Sequence, residues 1–234
     1  MTAQHADNRR LYRHIADQLM RMIGSGDYPP GSRLPAERDL AAQLGVSRPS
    51  VREALIALEV EGAVEVRGGA GVFVLQQRST PVDPLAPQPG PFDLIRARWI
   101  VESESAHLAA THATPEQLAG MKHALADMCA SASPNEFTIE ADQRFHLFIA
   151  EASANSALVM LTRQLWDARR GPLYMQFESH FTGKEIWRQA VGEHTEILDA
   201  IASRDGRAAR AAMRRHMKNA ELRFASSWRP GETP

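Results

Sequence analysis

The chain has 234 residues, of which 44% are hydrophobic and 24% are charged, and its formal net charge is −1. This composition excludes an intrinsically disordered chain, and the length accommodates one domain of about 75 residues and one of about 150. A single cysteine, Cys129, excludes an intramolecular disulfide and favours a reducing, cytoplasmic location. No apolar run reaches the roughly 18 residues that a membrane-spanning helix needs, so no membrane partner is expected.

Residues 1–8 are expected to be disordered, and 9–25 are predicted to form an amphipathic helix. Two helices joined by a tight turn are predicted over 34–58. Pro35 begins the first of them, and Gly45 ends it because glycine accepts the left-handed conformation of the turn. Ser47 then caps the second helix, whose exposed start is expected to present Ser47, Arg48, Ser50 and Arg52. This is the geometry of a helix-turn-helix that places its second helix in the major groove of DNA.

A β-hairpin follows the second helix directly. Residues 63–67 and 72–75 have the pattern of strands, and the glycine-rich segment 68–71 is the turn between them. A hairpin in this position is a wing, so residues 9–75 are predicted to form a winged helix-turn-helix domain that binds double-stranded DNA. Residues 1–75 contain nine arginines and no lysine against nine acidic residues, so DNA affinity must come from the local placement of arginines.

The motifs of this region resemble the GntR family of bacterial transcription regulators. The matching segments are P-P-G-S-R-L-P-A-E-R-D-L-A, L-G-V-S-R-P-S-V-R-E-A-L-x-x-L-E-x-E-G and R-G-G-A-G-V-F-V. The resemblance implies DNA contacts by a set of residues in the helix-turn-helix and at the wing tip. They are Arg38, Ser47, Arg48, Ser50, Arg52 and Gly69. Gly68 departs from the pattern, because some relatives carry there a polar residue that reaches the minor groove.

The C-terminal part of the chain is predicted to be helical throughout. The proline-rich segment 76–91 is typical of a stiff, extended linker. Beyond it, helix caps and breaks divide 92–228 into six or seven helices, with an ambiguous aromatic segment over 174–181 and a tail over 229–234. We therefore predict a mainly α protein, in which a winged helix-turn-helix domain precedes an all-α antiparallel helical bundle.

Four polar residues lie on the apolar faces of the predicted bundle helices, where charged residues need an explanation. They are Asp142, His146, His194 and His216. A single inward histidine is ordinarily a hydrogen-bonded core residue, but a carboxylate and three imidazoles from three helices favour one divalent metal centre. We expect zinc, with nickel and manganese as the alternatives. The other histidines are expected at the surface: His5, His14, His107, His112, His123 and His180.

Residues 92–225 resemble the ligand-binding FCD domain of the FadR subfamily of GntR regulators. The supporting motifs are R-x-x-x-E at 98–102, D-x-x-F-H at 142–146, A-S-x-N-x-x-L at 152–158, E-H-x-x-I-L-x-A-I at 193–201 and R-H at 215–216. In metal-binding members of that family, an aspartate and three histidines hold a divalent cation. The resemblance implies the same role for the four residues named above.

Arg98 allows two interpretations. It can form an intrahelical salt bridge with Glu102, four residues later, or its guanidinium can bind the carboxylate of a small ligand. Trp166 and Arg169 can add a stacking surface and polar contacts, although core packing alone also explains Trp166. We predict a ligand site formed by Arg98, Glu102, Trp166 and Arg169.

The segments G-P-F-D-L-I-x-A-R-x-x-V-E and L-W-x-x-R resemble regulators of hexuronate catabolism of the ExuR/UxuR type. This resemblance implies a uronate or a related sugar acid as effector. We predict a homodimeric repressor, not an enzyme, which binds an inverted-repeat operator under the control of this carboxylic acid. Two alternatives stay open: a metal-dependent enzyme on a helical bundle, and a regulator whose second domain has only a structural role and no small-molecule effector.

Overall fold

The computed structural model describes residues 8–76, 89–181 and 183–225, although not the side chains of 8–10. Most of the predicted disordered start, of the linker 76–91 and the whole tail 229–234 lie outside the described residues. The elements are α1 (Asn8–Gly24), α2 (Glu37–Leu44), α3 (Arg48–Val60), β1 (Val64–Arg67), β2 (Gly71–Val74), α4 (Pro91–His112), α5 (Pro115–Met128), α6 (Glu136–Ala152), α7 (Ser156–Ala168), α8 (Pro172–Ser179), α9 (Lys184–Ala202) and α10 (Gly206–Ala225). No helix in these ranges combines the length and the apolar character that crossing a lipid bilayer requires.

The chain forms two compact units. The first contains the described residues up to Pro91 together with Gly171–His180. The second contains Phe92–Arg170 and the described residues of Phe181–Ser226. The chain therefore leaves the second unit after α7, contributes α8 to the first unit, and returns to the second unit before α9.

The first unit has the predicted winged helix-turn-helix order, with α1–α3 followed by an antiparallel hairpin in which Val64 pairs with Val74. Gly45 adopts φ 67° at the end of α2, and its N–H donates to the carbonyl of Ala41. The side chain of Ser47 caps α3 by accepting a hydrogen bond from the backbone N–H of Ser50. These local signals fix the angle between α2 and α3.

Helix α8 also belongs to the first unit, which differs from the prediction of one continuous bundle over 92–228. It begins at Pro172, and it packs against α3. Leu173, Tyr174 and Phe177 of α8 are all at most 3% exposed, so the ambiguous aromatic segment is a helix with a buried face. Because α8 covers part of α3, every residue of α3 from Val51 to Leu58 is buried, and not only its predicted apolar face.

The second unit contains six helices, with contacts between α5 and α6, α6 and α7, α9 and α10, and α5 and α9. Its core is formed largely by alanine, methionine and isoleucine side chains. Thr114 and Asn135 form capping boxes at the starts of α5 and α6, and Asn155 caps α7. The resulting close packing fixes the directions of the polar side chains that point into this unit.

Candidate metal centre and DNA-binding surface

Three histidines from three helices meet in the second unit. His146 lies on α6, His194 on α9 and His216 on α10, and their exposed fractions are 1%, 1% and 6%. One ring nitrogen from each lies within 4.8 Å of the others. The structure therefore brings together the three imidazoles that the sequence placed on inward faces.

In each of these histidines, the Nδ1 atom faces an oxygen acceptor. The Nδ1 of His194 donates to the carbonyl of Ala190 at 2.6 Å, and that of His216 donates to Glu193 Oε2 at 2.7 Å. The Nδ1 of His146 faces the carboxylate of Glu102. A neutral imidazole that donates through Nδ1 keeps a lone pair on Nε2. Histidines that bind a metal ion through one ring nitrogen usually donate the N–H of the other to such an oxygen atom.

Asp142 completes the cluster. Its Oδ1 lies 2.9 Å from Nε2 of His194 and 3.4 Å from Nε2 of His146, and these two Nε2 atoms are 3.0 Å apart. Lone pairs at this separation repel each other unless a cation, either a proton or a metal ion, lies between them. A carboxylate and three imidazoles are ligands that zinc, nickel and manganese accept, so the donor set fits a divalent ion.

The electrostatics of the cluster favour a cation but not full protonation of its rings. Burial and the charge of His194 lower the pKa of His216 to about 3, so this ring is neutral. Burial acts to lower the pKa of His146, but the charges of Glu102 and Asp142 raise it. Burial acts to raise the pKa of Asp142, but the adjacent imidazoles hold it well below its usual value. The cluster therefore contains an ionised carboxylate, Asp142, and at least one neutral ring, His216.

Two glutamates orient the rings from outside the cluster. Burial acts to raise the pKa of Glu102, but the charges of Arg98 and His146 lower it to about 2. The pKa of Glu193 is also about 2, because hydrogen bonds from His216 and Arg223 outweigh its burial. Glu193 is absent from the predicted site residues, although it immediately precedes His194.

The four predicted ligand-binding residues also lie together. Arg98 forms the expected salt bridge with Glu102, with Nε 2.7 Å from Oε1, and both side chains are buried. The guanidinium carbons of Arg98 and Arg169 lie 4.2 Å and 4.1 Å from the ring centroid of Trp166. Arg169 Nη1 is 3.6 Å from Asp142 Oδ2, which connects this group to the histidine cluster. Both interpretations of Arg98 thus remain compatible with its position.

Most of the predicted DNA contacts lie on the surface of the first unit. The side chains of Arg38 and Arg48 are 83% and 48% exposed. Ser47 and Ser50, whose hydroxyl groups are 2.8 Å apart, are exposed and half-buried respectively. Gly69 lies at the exposed wing tip with φ 70°, a left-handed conformation that glycine adopts without strain.

Arg52 is an exception, because the prediction that it lies at the exposed start of α3 is wrong. Its side chain is 1% exposed, and its Nε and Nη2 donate to the two carboxylate oxygens of Glu37, each at 2.6 Å. This bidentate pair joins α3 to α2. In the structure Arg52 therefore fixes the position of the exposed Arg48 instead of presenting its own guanidinium at the surface.

Comparisons with known proteins agree with this architecture. The profile of "Bacterial regulatory proteins, gntR family" matches residues 11–74, and the profile of the "FCD domain" matches residues 93–219. The chain is 40% identical to the "Uxu operon transcriptional regulator" of Escherichia coli (strain K12), over 92% of this chain and 87% of that protein. It is 35% identical to the "Exu regulon transcriptional regulator" of the same organism, over 92% and 84% of the two chains.

A solved structure entitled "Lar controls the expression of the Listeria monocytogenes agr system and mediates virulence" is similar with a TM-score of 0.50 and 18% identity. It covers 92% of this chain and 96% of its own, and it supports the fold alone. The relatives are transcription regulators and not enzymes, which overturns the alternative of a metal-dependent enzyme. The chain belongs to the GntR family of bacterial regulatory proteins and is a transcription regulator with a C-terminal FCD domain.

Proposed function

We propose that this protein is a homodimeric repressor that releases its operator when a hexuronate or a related sugar acid binds beside a divalent metal ion. The observation that carries the proposal is the arrangement of His146, His194 and His216. Each ring directs Nδ1 to an oxygen acceptor. The Nε2 atoms of His146 and His194 lie beside Asp142 Oδ1, and one ring nitrogen of each of the three histidines lies within 4.8 Å of the others. A divalent ion at the centre of this donor set would stabilise the arrangement, which supports the proposal.

The surroundings of this centre favour an anionic ligand. A metal ion held by the aspartate and the three histidines would supply a positive charge to which carboxylate or hydroxyl oxygens bind. Arg98 and Arg169 place two guanidinium groups against the faces of Trp166, beside the same cluster. Guanidinium groups bind carboxylates through paired hydrogen bonds. The resemblance to hexuronate regulators, supported by the similarity to the Uxu and Exu regulators, favours a sugar acid among the possible anions.

The DNA-binding surface is the exposed start of α3. We assign base contacts to Arg48 and phosphate contacts to Arg38, Ser47 and Ser50, with Gly69 allowing the wing tip to approach the DNA backbone. An inverted-repeat operator presents two half-sites, so a homodimer is the assembly that matches it.

The test combines metal analysis, ligand binding and DNA binding on the purified full chain. We expect about one divalent ion per chain by elemental analysis, and a lower melting temperature after treatment with a chelator. We expect D-glucuronate or D-galacturonate to raise the melting temperature and to reduce binding of an operator fragment selected by the protein from random DNA, measured by fluorescence anisotropy. The molar mass measured by light scattering tests whether the protein is a dimer.

His194→Ala is the matched variant, and His123→Ala is its control because the side chain of His123 is 80% exposed. His194→Ala should lose the metal and the response to the acid, whereas His123→Ala should keep both. A metal-free protein whose melting temperature is insensitive to chelator and to sugar acids would contradict the proposal.

A further inference from the structure

Helix α7 carries two buried polar atoms that have no hydrogen-bond partner among the described residues. They are the hydroxyl oxygen of Thr162 and the indole Nε1 of Trp166, in side chains that are 0% and 3% exposed. The two residues are one helical turn apart and share a face of α7. Buried polar groups nearly always have partners, and a threonine within a helix can bond to the carbonyl one turn earlier. The hydroxyl of Thr162 makes no such bond.

Trp166 connects this face of α7 to the candidate ligand site. Its ring centroid lies 5.1 Å from that of His146, and the guanidinium carbons of Arg98 and Arg169 lie 4.2 Å and 4.1 Å from it. The unpartnered N–H therefore belongs to a ring that contacts two cationic side chains and one of the candidate metal ligands. Thr162 extends the same face by one turn, away from the salt bridge between Arg169 and Asp142.

We propose that Thr162 Oγ1 and Trp166 Nε1 form a subsite for hydroxyl groups, which selects polyhydroxylated acids over simple carboxylic acids. This proposal rests on the proposed function, in which the cationic groups bind the carboxylate. A hydroxyl of the ligand accepts the hydrogen bond of the indole N–H, and another exchanges a hydrogen bond with the threonine hydroxyl. A simple acid would leave both groups buried without partners, and sites built to bind hydroxyl groups discriminate strongly against ligands that lack them.

The decisive variant is Thr162→Val, which removes the hydroxyl and keeps the shape of the side chain. By isothermal titration calorimetry with D-galacturonate and D-glucuronate, we expect a loss of affinity of about tenfold or more. The affinity for propionate, which has no hydroxyl group, and the metal content should be unchanged. Thr195→Val is the control, because Thr195 is exposed on α9 and its hydroxyl donates to Val191.

A second readout separates this role from a structural one. Without ligand, Thr162→Val should melt at the same or a higher temperature, because it removes an unpartnered buried hydroxyl. A clearly lower melting temperature, or wild-type affinity for both uronates in the variant, would overturn the proposal. A wild-type protein that binds none of the acids would overturn the proposed function and this subsite with it.

Helix α8 provides a second, independent observation. Although α8 lies inside the segment that matches the FCD domain, it belongs to the first unit, where it packs on α3. Gln176 Nε2 of α8 and Nε2 of His180, the residue that directly follows α8, lie 3.1 Å and 2.6 Å from Glu59 Oε2 of α3. The other oxygen of Glu59 accepts a hydrogen bond from the backbone N–H of Val66 in the wing. The chain reaches α8 directly from Arg169, one of the candidate ligand residues.

We infer that α8 transmits occupancy of the effector site to α3 and the wing through Glu59. Only two residues separate Arg169 from Pro172, so a displacement of the end of α7 on ligand binding can be transmitted along the chain to the start of α8. Because the carboxylate of Glu59 contacts both Gln176 of α8 and Val66 of the wing, a shift of α8 would displace α3 and the wing. This inference also rests on the proposed function, and the coupling is a difference in operator affinity between ligand-bound and ligand-free protein.

The test is the double variant Gln176→Ala/His180→Ala, with Met175→Ala as control because Met175 is 59% exposed on the same helix. By calorimetry, the double variant should bind the sugar acid like the wild type. By fluorescence anisotropy, its operator affinity should stay within about threefold of the wild type and should no longer fall when the acid is added. Release of the operator by the acid to the wild-type extent would overturn the inference. Loss of operator binding without the acid would also overturn it, since α8 would then only stabilise the DNA-binding unit.

Discussion

The carboxylate of Glu59 in α3 lies 2.6 Å from the Nε2 atom of His180, a residue 121 positions later in the chain. The same carboxylate binds Gln176 of α8 and the backbone N–H of Val66 in β1. One side chain thus holds three separate elements of the DNA-binding unit together. The sequence predicts that His180 lies at the surface; its side chain is 20% exposed and is held by this contact.

The contacts of Glu59 predict a specific dependence of stability on pH. Burial acts to raise the pKa of Glu59, but hydrogen bonds from His180 and Val66 and the charge of His180 lower it below the ordinary value of 4.5. The folded state therefore binds this proton less readily than the unfolded state. The stabilisation is complete above about pH 5 and is lost as the pH falls through the lower, native pKa.

In Glu59→Gln, this component of the free energy of unfolding is absent. We expect the wild type to be more stable than the variant at neutral pH, and the difference between them to shrink as the pH falls from about 5 to about 3. Urea unfolding followed by circular dichroism at each pH measures this difference in the free energy of unfolding. Glu65→Gln is the control, because the side chain of Glu65 is 45% exposed. A difference that stays constant over this pH range would argue against the ionised contact.

Alanine substitutions of Arg48 and Arg52 should affect different properties of the protein: DNA binding for Arg48 and stability for Arg52. Arg52→Ala leaves the partly buried Glu37 without its bidentate partner, so we expect the free energy of unfolding to fall by about 3 kcal/mol. Arg48→Ala removes a half-exposed side chain that lies 3.6 Å from Glu37, so stability should change by less than about 0.5 kcal/mol.

Arg48→Ala should nevertheless abolish specific operator binding, because the proposal assigns a base contact to this side chain. Thermal unfolding and fluorescence anisotropy, measured on the same preparations, give the two quantities. Operator affinity that survives in Arg48→Ala at both low and physiological salt concentrations would remove Arg48 from the proposed interface. An unchanged melting temperature in Arg52→Ala would contradict the structural role of its pair.

The comparison of Arg48 with Arg52 shows what the sequence can predict. The turn at Gly45 and the cap at Ser47 depend on local backbone chemistry, and the inward direction of His146 and His194 depends on helical periodicity, so both follow from residue order. Arg52 also lies near the helix start, but its burial depends on Glu37 in another helix. Contacts between distant segments decide such cases, and a single sequence without an alignment contains no signal for them.

Glu193 gives a prediction for the metal centre that does not remove any candidate ligand. Its carboxylate accepts the hydrogen bond from Nδ1 of His216 and is held by Asn219 Nδ2 at 2.8 Å and Arg223 Nη1 at 2.9 Å. Glu193→Gln weakens the acceptor that sets the tautomer and orientation of the ring. We expect the metal affinity to fall by about 10- to 100-fold, which is typical for loss of such an outer partner.

Competition with a chromophoric chelator measures this affinity. Glu196→Gln is the control on the same helix, because the side chain of Glu196 is 59% exposed and pairs with Arg215. Equal metal affinity in Glu193→Gln and Glu196→Gln would show that Glu193 does not position a ligand. Complete unfolding of Glu193→Gln in the presence of metal would instead assign it to the packing of α9 and α10.

Substitution of Gly71 should impair DNA binding as well as stability, because Gly71 begins the second strand of the wing with φ 111°. A Cβ atom at this position would lie 2.5 Å from Nε of Arg33. The backbone of Arg33 also forms an antiparallel β-bridge with Phe73 of β2. In Gly71→Ala the exposed arginine side chain can move away, but the strained backbone remains and costs about 1–2 kcal/mol. We expect a lower melting temperature and weaker operator binding, with unchanged binding of metal and sugar acid.

Gly26→Ala is the control. Gly26 has a similarly strained φ of 89°, but no atom lies within 4 Å of the added carbon, and the residue lies outside the wing. Loss of stability in both variants but weaker DNA binding only in Gly71→Ala would assign the DNA effect to the wing itself, whereas equal DNA binding in the two would show that the wing contributes nothing to operator affinity.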